Sequence, residues 1–421
     1  MEVAIIGFGI SGIAACRWAL HYGLKPTVFE KNASLGGVWL THVYPNCKLQ
    51  STRYSYHFND AKMPEEYGIY PSGHHVSEYL KTYVQTHDLE KYVQYNSTVQ
   101  SIEKKNERWE LVVNEKKYDF RYVIVATGFY GAANTRFPHS LLPNQINNPE
   151  EQFRDKHVVI VGNGPSGCDL ACLAAENNAK SVRLLYRSPR WIFSRYLGGV
   201  SLHFLTWRIF LTIAYYLPKS VLKMVIVVMY LLPLIMINSS PAEIDVPDEK
   251  VNRKNLVLND NLFHYIQQTR IDYIKDPAES VDEHYVHSKN NKYEYDVVID
   301  ARGYDTGIPL LGGGDGVPKL YRNILQPGDS SIAFIGFAAT FSWMQVSELQ
   351  CHWFYQQLLG RFHLPSSAAQ QMTIDANNEE DYHDLAYLYY YYINVLRNDM
   401  GLPSISNWFS LPEQTLFTNE I

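Results

Sequence analysis

The chain has 421 residues, 46% of them hydrophobic and 14% aromatic, enough for about two to three domains with substantial cores. Its formal net charge is −6 and it carries no long basic run, which excludes a nucleic-acid binder. Five cysteines, Cys16, Cys47, Cys168, Cys172 and Cys351, include no C-x-x-C pair. Neither a disulfide framework nor a metal site is expected, and the pattern points to a reducing compartment, the cytoplasm.

The first predicted element is the strand Val3-Ala4-Ile5-Ile6, so close to Met1 that it leaves no room for a signal or transit peptide. It runs into Gly7-Phe8-Gly9-Ile10-Ser11-Gly12. In such a fingerprint Gly7 makes the tight turn, Gly9 lets a pyrophosphate approach the main chain, and Gly12 lets the following helix pack against the strand. The free N–H groups and positive dipole end of that helix hold phosphates. Glu30 follows Gly12 by 18 residues, at the end of the strand Val28-Phe29. A carboxylate there accepts hydrogen bonds from ribose hydroxyls and disfavours a 2′-phosphate, so this unit suits FAD or NAD.

A second unit begins with Val158-Val159-Ile160-Val161 and continues through Gly162-Asn163-Gly164-Pro165-Ser166-Gly167. No carboxylate ends its next strand, Val182-Arg183-Leu184-Leu185-Tyr186. Arg187 and Arg190 stand there instead, and cations favour the phosphorylated ribose of NADPH. Two such units suggest two dinucleotides brought together, with electron transfer between them. Dithiol reductases use paired dinucleotide folds, but they need neighbouring cysteines to accept the electrons. Cys168 and Cys172, spaced i, i+4 on the second fingerprint helix, are expected to pack against the sheet. Molecular oxygen becomes the candidate acceptor.

Further along, Met224 to Ile237 is a run of fourteen residues without charge or amide, and Phe204 to Leu217 is nearly as apolar. A spanning helix needs roughly 20 such residues, and Pro218 and Pro233 interrupt these. Arg208, Lys219 and Lys223 are the nearby charges, which suits an in-plane or hairpin segment over 203–237 resting on an anionic intracellular membrane. The competing expectation is a buried helical pair covering the active-site cleft. The strand Tyr295 to Asp300 is expected to return the chain to the first domain. Asp381 to Met400 is predicted as a docking helix ended by Gly401 and Pro403, with Tyr387 and Tyr389 to Tyr392 packing around it.

With these landmarks in place the chain resembles the flavin-containing monooxygenases, over nearly its whole length and with most likeness to the plant-type branch. Gly36-Gly37-Val38-Trp39 is similar to the family's glycine pair and tryptophan. Lys48-Leu49-Gln50-Ser51 and Phe58-Asn59-Asp60 resemble the segment beside the flavin, and Ala126-Thr127-Gly128-Phe129-Tyr130 the linker leaving the FAD domain. Arg187-Ser188-Pro189-Arg190-Trp191 resembles the NADPH phosphate loop. Phe334-Ile335-Gly336-Phe337 and Ser347 to Trp353 resemble the return to the flavin, and Asn398 to Leu402 a motif near the plant-type C-terminus.

The resemblance implies an α/β protein with two Rossmann-like domains, the NADPH domain inserted in the FAD domain and carrying an apolar helical insertion. The expected bounds are 1–150 for the first part of the FAD domain, 151–295 for the NADPH domain, 296–365 for the return and 366–421 for a helical tail. FAD is then assigned to Gly7, Gly9, Gly12, Glu30, Gly37, Trp39, Ala126, Gly128 and Gly336. NADPH falls to Gly162, Gly164, Ser166, Gly167, Arg187 and Arg190. The nicotinamide is expected to reach the flavin across the cleft, and the helix from Trp343 to Leu359 to point its N-terminus at the flavin ring. The implied chemistry is oxygen addition at the flavin C4a, with the hydroperoxide passing one oxygen atom to an amine, amino acid or sulfide. Asn163 and Thr52 are the candidate supporting side chains.

Three departures stand out. Where animal members place an asparagine beside the flavin this chain has Thr52, a position also lacking Asn in the plant-type branch. The family's F-x-G-x-x-x-H signature is absent between Phe137 and Lys156, where His139 reads as a loop residue. Arg302 replaces a small hydroxyl residue in Ala301-Arg302-Gly303-Tyr304, which bears on domain coupling and on the lifetime of the oxygenated flavin. Other readings are a Baeyer-Villiger oxygenase acting on ketones and a degenerate FAD- and NADPH-binding scaffold or sensor at a membrane.

Overall fold

The computed structural model describes residues 1–128, 130, 137–197, 199–201, 256–304, 308, 310, 319–338, 342–376 and 392–404. The apolar segment 203–237 and the tyrosines before Tyr392 lie outside the described residues. In chain order the elements that frame the sites are β1 (Glu2–Ile6), α1 (Ile10–His21), β2 (Lys25–Phe29), β3 (Val93–Gln94) and β4 (Tyr122–Val125). Next come β5 (His157–Val161), α2 (Pro165–Glu176), β6 (Ser181–Leu185), β7 (Asp272–Ile274) and β8 (Val297–Asp300). The chain closes with β9 (Leu325–Gln326), β10 (Asp329–Phe334), α3 (Trp343–Leu358) and α4 (Tyr392–Asp399).

These elements sort into two compact units. One holds Met1–Thr41, Ser51–Gly131 and Asp305–Ile421, the other His42–Gln50 and Ala132–Tyr304. The first unit is built on a six-stranded sheet in the order β9-β10-β4-β1-β2-β3, parallel except for the β9-β10 pair. Its central strand β1 is buried from Val3 to Ile6 on both faces, as a parallel strand between helices and a second layer should be. Ala4, Ile6 and Phe29 pack with Trp109, Leu111 and Phe120 of a three-stranded antiparallel layer spanning 99–120. On α1 the small residues Ala14, Ala15 and Ala19 are buried, which allows close approach of neighbouring elements. The Tyr355 hydroxyl of α3 donates to the Ala15 carbonyl, tying the two helices together.

The second unit carries a four-stranded sheet in the order β7-β6-β5-β8, parallel throughout. Val158, Ile160 and Ile299 face the α2 side with Cys168 and Cys172. Val159, Val161 and Val298 face Phe137, Val281 and Val286 on the other. The buried thiols are therefore packing residues: Cys168 Sγ lies 3.4 Å from the Asn163 carbonyl, Cys172 Sγ lies 3.5 Å from Asn259 Oδ1, and burial pushes both pKa values up.

One expectation is corrected here. The strand ending at Asp300 does not return the chain to the first sheet. As β8 it pairs in parallel with β5, Val297 opposite Val158 and Asp300 opposite Val161. Its uninterrupted buried run, Val297 to Asp300, fits a strand covered on both faces: α2 residues pack against Val297 and Ile299, and Phe137, Val281 and Val286 against Val298. The helix expected from Trp343 to Leu359 is present as α3. Gly401 ends α4 with φ 73°, the Leu402 N–H closing back on the Arg397 carbonyl at 2.9 Å.

Candidate dinucleotide sites

In the first unit the turn after β1 leaves no choice of residue at its critical points. A Cβ on Gly12 would lie 1.9 Å from the Gly7 carbonyl oxygen, and one on Gly7, whose φ is 98°, would lie 2.7 Å from the Ala126 carbonyl oxygen. The first turn of α1 is thus pressed onto β1, and the end of β4 onto the turn. Gly36 donates to the Phe8 carbonyl at 3.1 Å, laying the glycine pair over the fingerprint. A Cβ on Gly37 would come within 3.1 Å of the Gly9 Cα. The space between these glycines is a cradle that any side chain would fill.

Glu30 is only 3% exposed at the end of β2. Its Oε2 accepts from Phe8 N–H at 2.7 Å, and its Oε1 accepts from the Asn32 backbone and amide at 2.9 and 2.8 Å. The carboxylate therefore shapes the fingerprint turn directly. A carboxylate offers about four acceptor positions, so one remains for a ribose hydroxyl. The buried hydroxyl of Tyr95, whose ring meets Phe8 edge-on at 6.4 Å, finds no partner among the described residues. An orphaned hydroxyl near this strand end, together with the glycine cradle, fits an adenosine diphosphate moiety.

The return segment crosses the start of α1. A Cβ on Gly336 would lie 2.0 Å from Ser11 Oγ, and Ser11 Oγ is 3.0 Å from Ser347 Oγ of α3. The next residue of α3, Glu348, is fully buried. It accepts from the Asn59 backbone and amide at 2.8 and 2.6 Å and from Trp18 Nε1 at 3.0 Å. Burial pushes its pKa up to about 8, with the Asp60 charge adding to the rise and the three donors opposing it. His57 meets the Phe58 carbonyl through Nδ1 at 2.7 Å, which places its proton there, and Gln345 reaches its Nε2 at 3.4 Å. Burial lowers its pKa. Thr52 is 1% exposed, and its carbonyl receives the Ser55 N–H. Trp39 donates Nε1 to the Tyr56 hydroxyl at 2.8 Å, and Gly128 turns with φ 84° into open space.

The second unit repeats the construction. A Cβ on Gly167 would lie 1.8 Å from the Gly162 carbonyl oxygen, whereas one on Gly164, the cap of α2, would meet nothing within 4 Å. That open approach to a helix N-terminus suits a diphosphate. Asn163 is buried and spends both amide hydrogens within its unit, on the Ser188 carbonyl at 3.1 Å and the Tyr273 hydroxyl at 2.8 Å. It thereby ties the fingerprint turn to the loop that carries Arg187 and Arg190. Arg187 is exposed with no carboxylate partner among the described residues, and Arg190 is half-buried.

On α2, Asp169 accepts from the Tyr44 hydroxyl at 3.0 Å and Asn259 Nδ2 at 2.8 Å. Burial pushes its pKa up to about 6 against the pull of Arg195. The Tyr44 hydroxyl also meets Ser166 in the first turn.

The predicted residues thus gather in two places. Gly7, Gly9, Gly12, Glu30, Gly37, Ala126 and Gly336 surround the first turn. Gly162, Gly164, Ser166, Gly167, Arg187 and Arg190 surround the second. Thr52 belongs to the first unit and Asn163 to the second. Sequence reasoning misses Tyr95, Glu348 and Asp169. Asp169 alone leaves a trace, a carboxylate one turn into a fingerprint helix.

Residues 1–395 match the family model described as FMO-like, flavin-binding monooxygenase-like. Flavin-containing monooxygenase 1 of Homo sapiens is 29% identical over 421 residues, covering 90% of this chain and 77% of its own. Among solved structures, S-allyl-L-cysteine S-oxygenase from Allium sativum superposes with a TM-score of 0.67 at 18% identity, covering 98% of this chain and 91% of its own. OTEMO in complex with FAD and NADP gives 0.70 at 17%, covering 85% of each chain. The two solved structures share the fold.

Proposed function

The chain belongs to the flavin-binding monooxygenase-like family, and from that premise we propose that it transfers one oxygen atom from O2 to a soft nucleophile, an amine, amino acid or sulfide. It is an NADPH- and FAD-dependent oxidoreductase. Bound FAD supplies the redox chemistry, so that substrate, NADPH, O2 and a proton yield the oxygenated product, NADP+ and water.

The protein's own residues bind and orient. The α1 N-terminus and the Gly9–Gly37 cradle receive the FAD diphosphate, and Glu30 accepts from its adenosine ribose. The α2 N-terminus receives the NADPH diphosphate, while Arg187 and Arg190 attract its 2′-phosphate. Asn163 holds the phosphate loop in place through its amide, which is how it supports the bound NADPH. Thr52 is the buried hydroxyl we assign to support beside the flavin.

One observation carries this reading. Two strand-turn-helix units of the same construction carry opposite charges just beyond their second strands, Glu30 directly after Phe29 and Arg187 two residues after Leu185. Purified protein should be yellow, oxidise NADPH faster than NADH, and form one oxygenated product per NADPH with some member of a panel of amines, amino acids and thioethers. Bound FAD without NADPH oxidation would instead favour the scaffold reading, and ester formation from ketones the Baeyer-Villiger one.

We place peripheral membrane contact in segment 203–237, on the strength of its apolar and cationic sequence. No helix among the described residues is long and apolar enough to cross a membrane. Flotation with anionic liposomes decides: protein that stays at the bottom of the gradient removes the membrane reading.

A further inference from the structure

We infer that Arg302 is a pre-ordered cation for the diphosphate of the second dinucleotide, an inference that rests on the NADPH reading of that unit.

Its place in the sheet comes first. In the order β7-β6-β5-β8 the chain runs outward from β5 through β6 to β7 on one side and places β8 alone on the other. The direction of winding therefore reverses between β5 and β8, and open parallel sheets bind ligands at the carboxyl ends of the strands flanking such a reversal. Ala301 still pairs with β5, its N–H donating to the Val161 carbonyl at 2.9 Å. Arg302 is the next residue. Its backbone nitrogen lies 3.1 Å from where a Cβ on Gly162 would stand, so it borders the turn that delivers the α2 N-terminus.

The side chain is held, not free. Nε and Nη2 donate to the two carboxylate oxygens of Asp300 at 2.8 and 2.6 Å, and the guanidinium stacks over the Phe137 ring at 3.8 Å. The Asp300 side chain is 1% exposed and that of Arg302 25%. The negative end of the pair is therefore buried and the positive end faces outward. A guanidinium has five N–H donors, and the Asp300 fork uses two. The remaining edge is fixed in direction by the fork and the stack, so little side-chain entropy is lost when it meets an anion. Arg187 and Arg190 lie beyond β6, on the far side of β5 from Arg302. One dinucleotide laid across these strand ends would thus meet cations at both ends of its phosphate run.

The test separates the phosphates. NADP+, 2′-phospho-ADP-ribose and adenosine 2′-monophosphate are titrated into holoenzyme, and their dissociation constants measured by calorimetry. The first two contain the diphosphate, and the third contains only the 2′-phosphate. Arg302→Thr should weaken NADP+ and 2′-phospho-ADP-ribose about ten-fold, the scale of one charge-assisted hydrogen bond, and leave adenosine 2′-monophosphate unchanged. Equal weakening of all three, or of none, overturns the inference. Because Arg302→Thr leaves a buried carboxylate without its cation, the Asp300→Asn/Arg302→Thr double variant is measured in parallel, and the same split is required of it. Wild-type protein that binds none of the three would sink the NADPH reading itself, a result distinct from either outcome for the variants.

Discussion

A residue's charge can serve the fold before it serves a ligand, and Glu30 is proposed to do both. Its carboxylate already holds Phe8 N–H and Asn32, so substitution removes an adenosine contact and loosens the turn that cradles the diphosphate. Glu30→Ala should raise the FAD dissociation constant by about 10- to 100-fold, the loss of one hydrogen bond to a charged group at ~1.5–3 kcal/mol, with NADP+ affinity unchanged. Retention of FAD through gel filtration as in wild type would contradict it. Glu348 makes a different case, since every identified partner donates to it while burial opposes its charge. Its folded pKa of about 8 exceeds the ordinary 4.5, so its contribution to stability is complete below pH 4.5 and is lost as pH rises toward 8. His57, His21 and His352 have lowered pKa values and act with the opposite sign, so the variant difference is informative and the absolute curve is not. The melting temperature of wild type should fall relative to that of Glu348→Gln between pH 6.5 and 8. Parallel curves over that window would show that Glu348 does not titrate there.

At the scale of elements, each fingerprint helix is placed by one glycine and opened by another. In the second unit Gly167 has its Cβ position 1.8 Å from a carbonyl oxygen, and Gly164 has nothing within 4 Å. Gly167→Ala must push α2 off β5, with a cost at or above the ~3 kcal/mol usual for overpacking, and should unfold that unit at lower temperature. Gly164→Ala should melt as wild type and still lose NADP+ affinity, because its methyl group points into the diphosphate's path. Wild-type NADP+ binding by Gly164→Ala would remove the ligand from that helix end. This geometry is legible in the sequence because backbone approach and positive φ admit so few residues. Strand β8 is less legible: Val297-Val298-Ile299 states that both faces are buried but not which sheet buries them, and a buried run has no register of its own. Glu348 is opaque for a related reason, and Asp169 shows only its place on the fingerprint helix. A carboxylate on a buried helix gains meaning only from its partners, Asn59, Trp18, Tyr44 and Asn259, which are distant in sequence.

For the whole molecule, the proposed assignment gives each dinucleotide its own compact unit, so each ligand should report on that unit. A ligand that binds only the folded form adds RT ln(1 + [L]/Kd), ~2.7 kcal/mol at a hundred-fold excess over its dissociation constant. FAD should therefore raise the unfolding temperature of the unit built on β1, and NADP+ that of the unit built on β5. Amide hydrogen exchange resolves the two. FAD should slow exchange at 7–13, 30–37 and 336, where the first turn, the glycine pair and the return segment meet. NADP+ should slow it at 162–168 and 186–190, where Asn163 ties turn to phosphate loop. The assignment rests on the charge at the second strand ends, so it makes a demand that a generic pair of nucleotide folds does not. NADP+ protection of 7–13 in apoprotein, or FAD protection of 162–168, would mean that Glu30 and Arg187 do not discriminate between the cofactors.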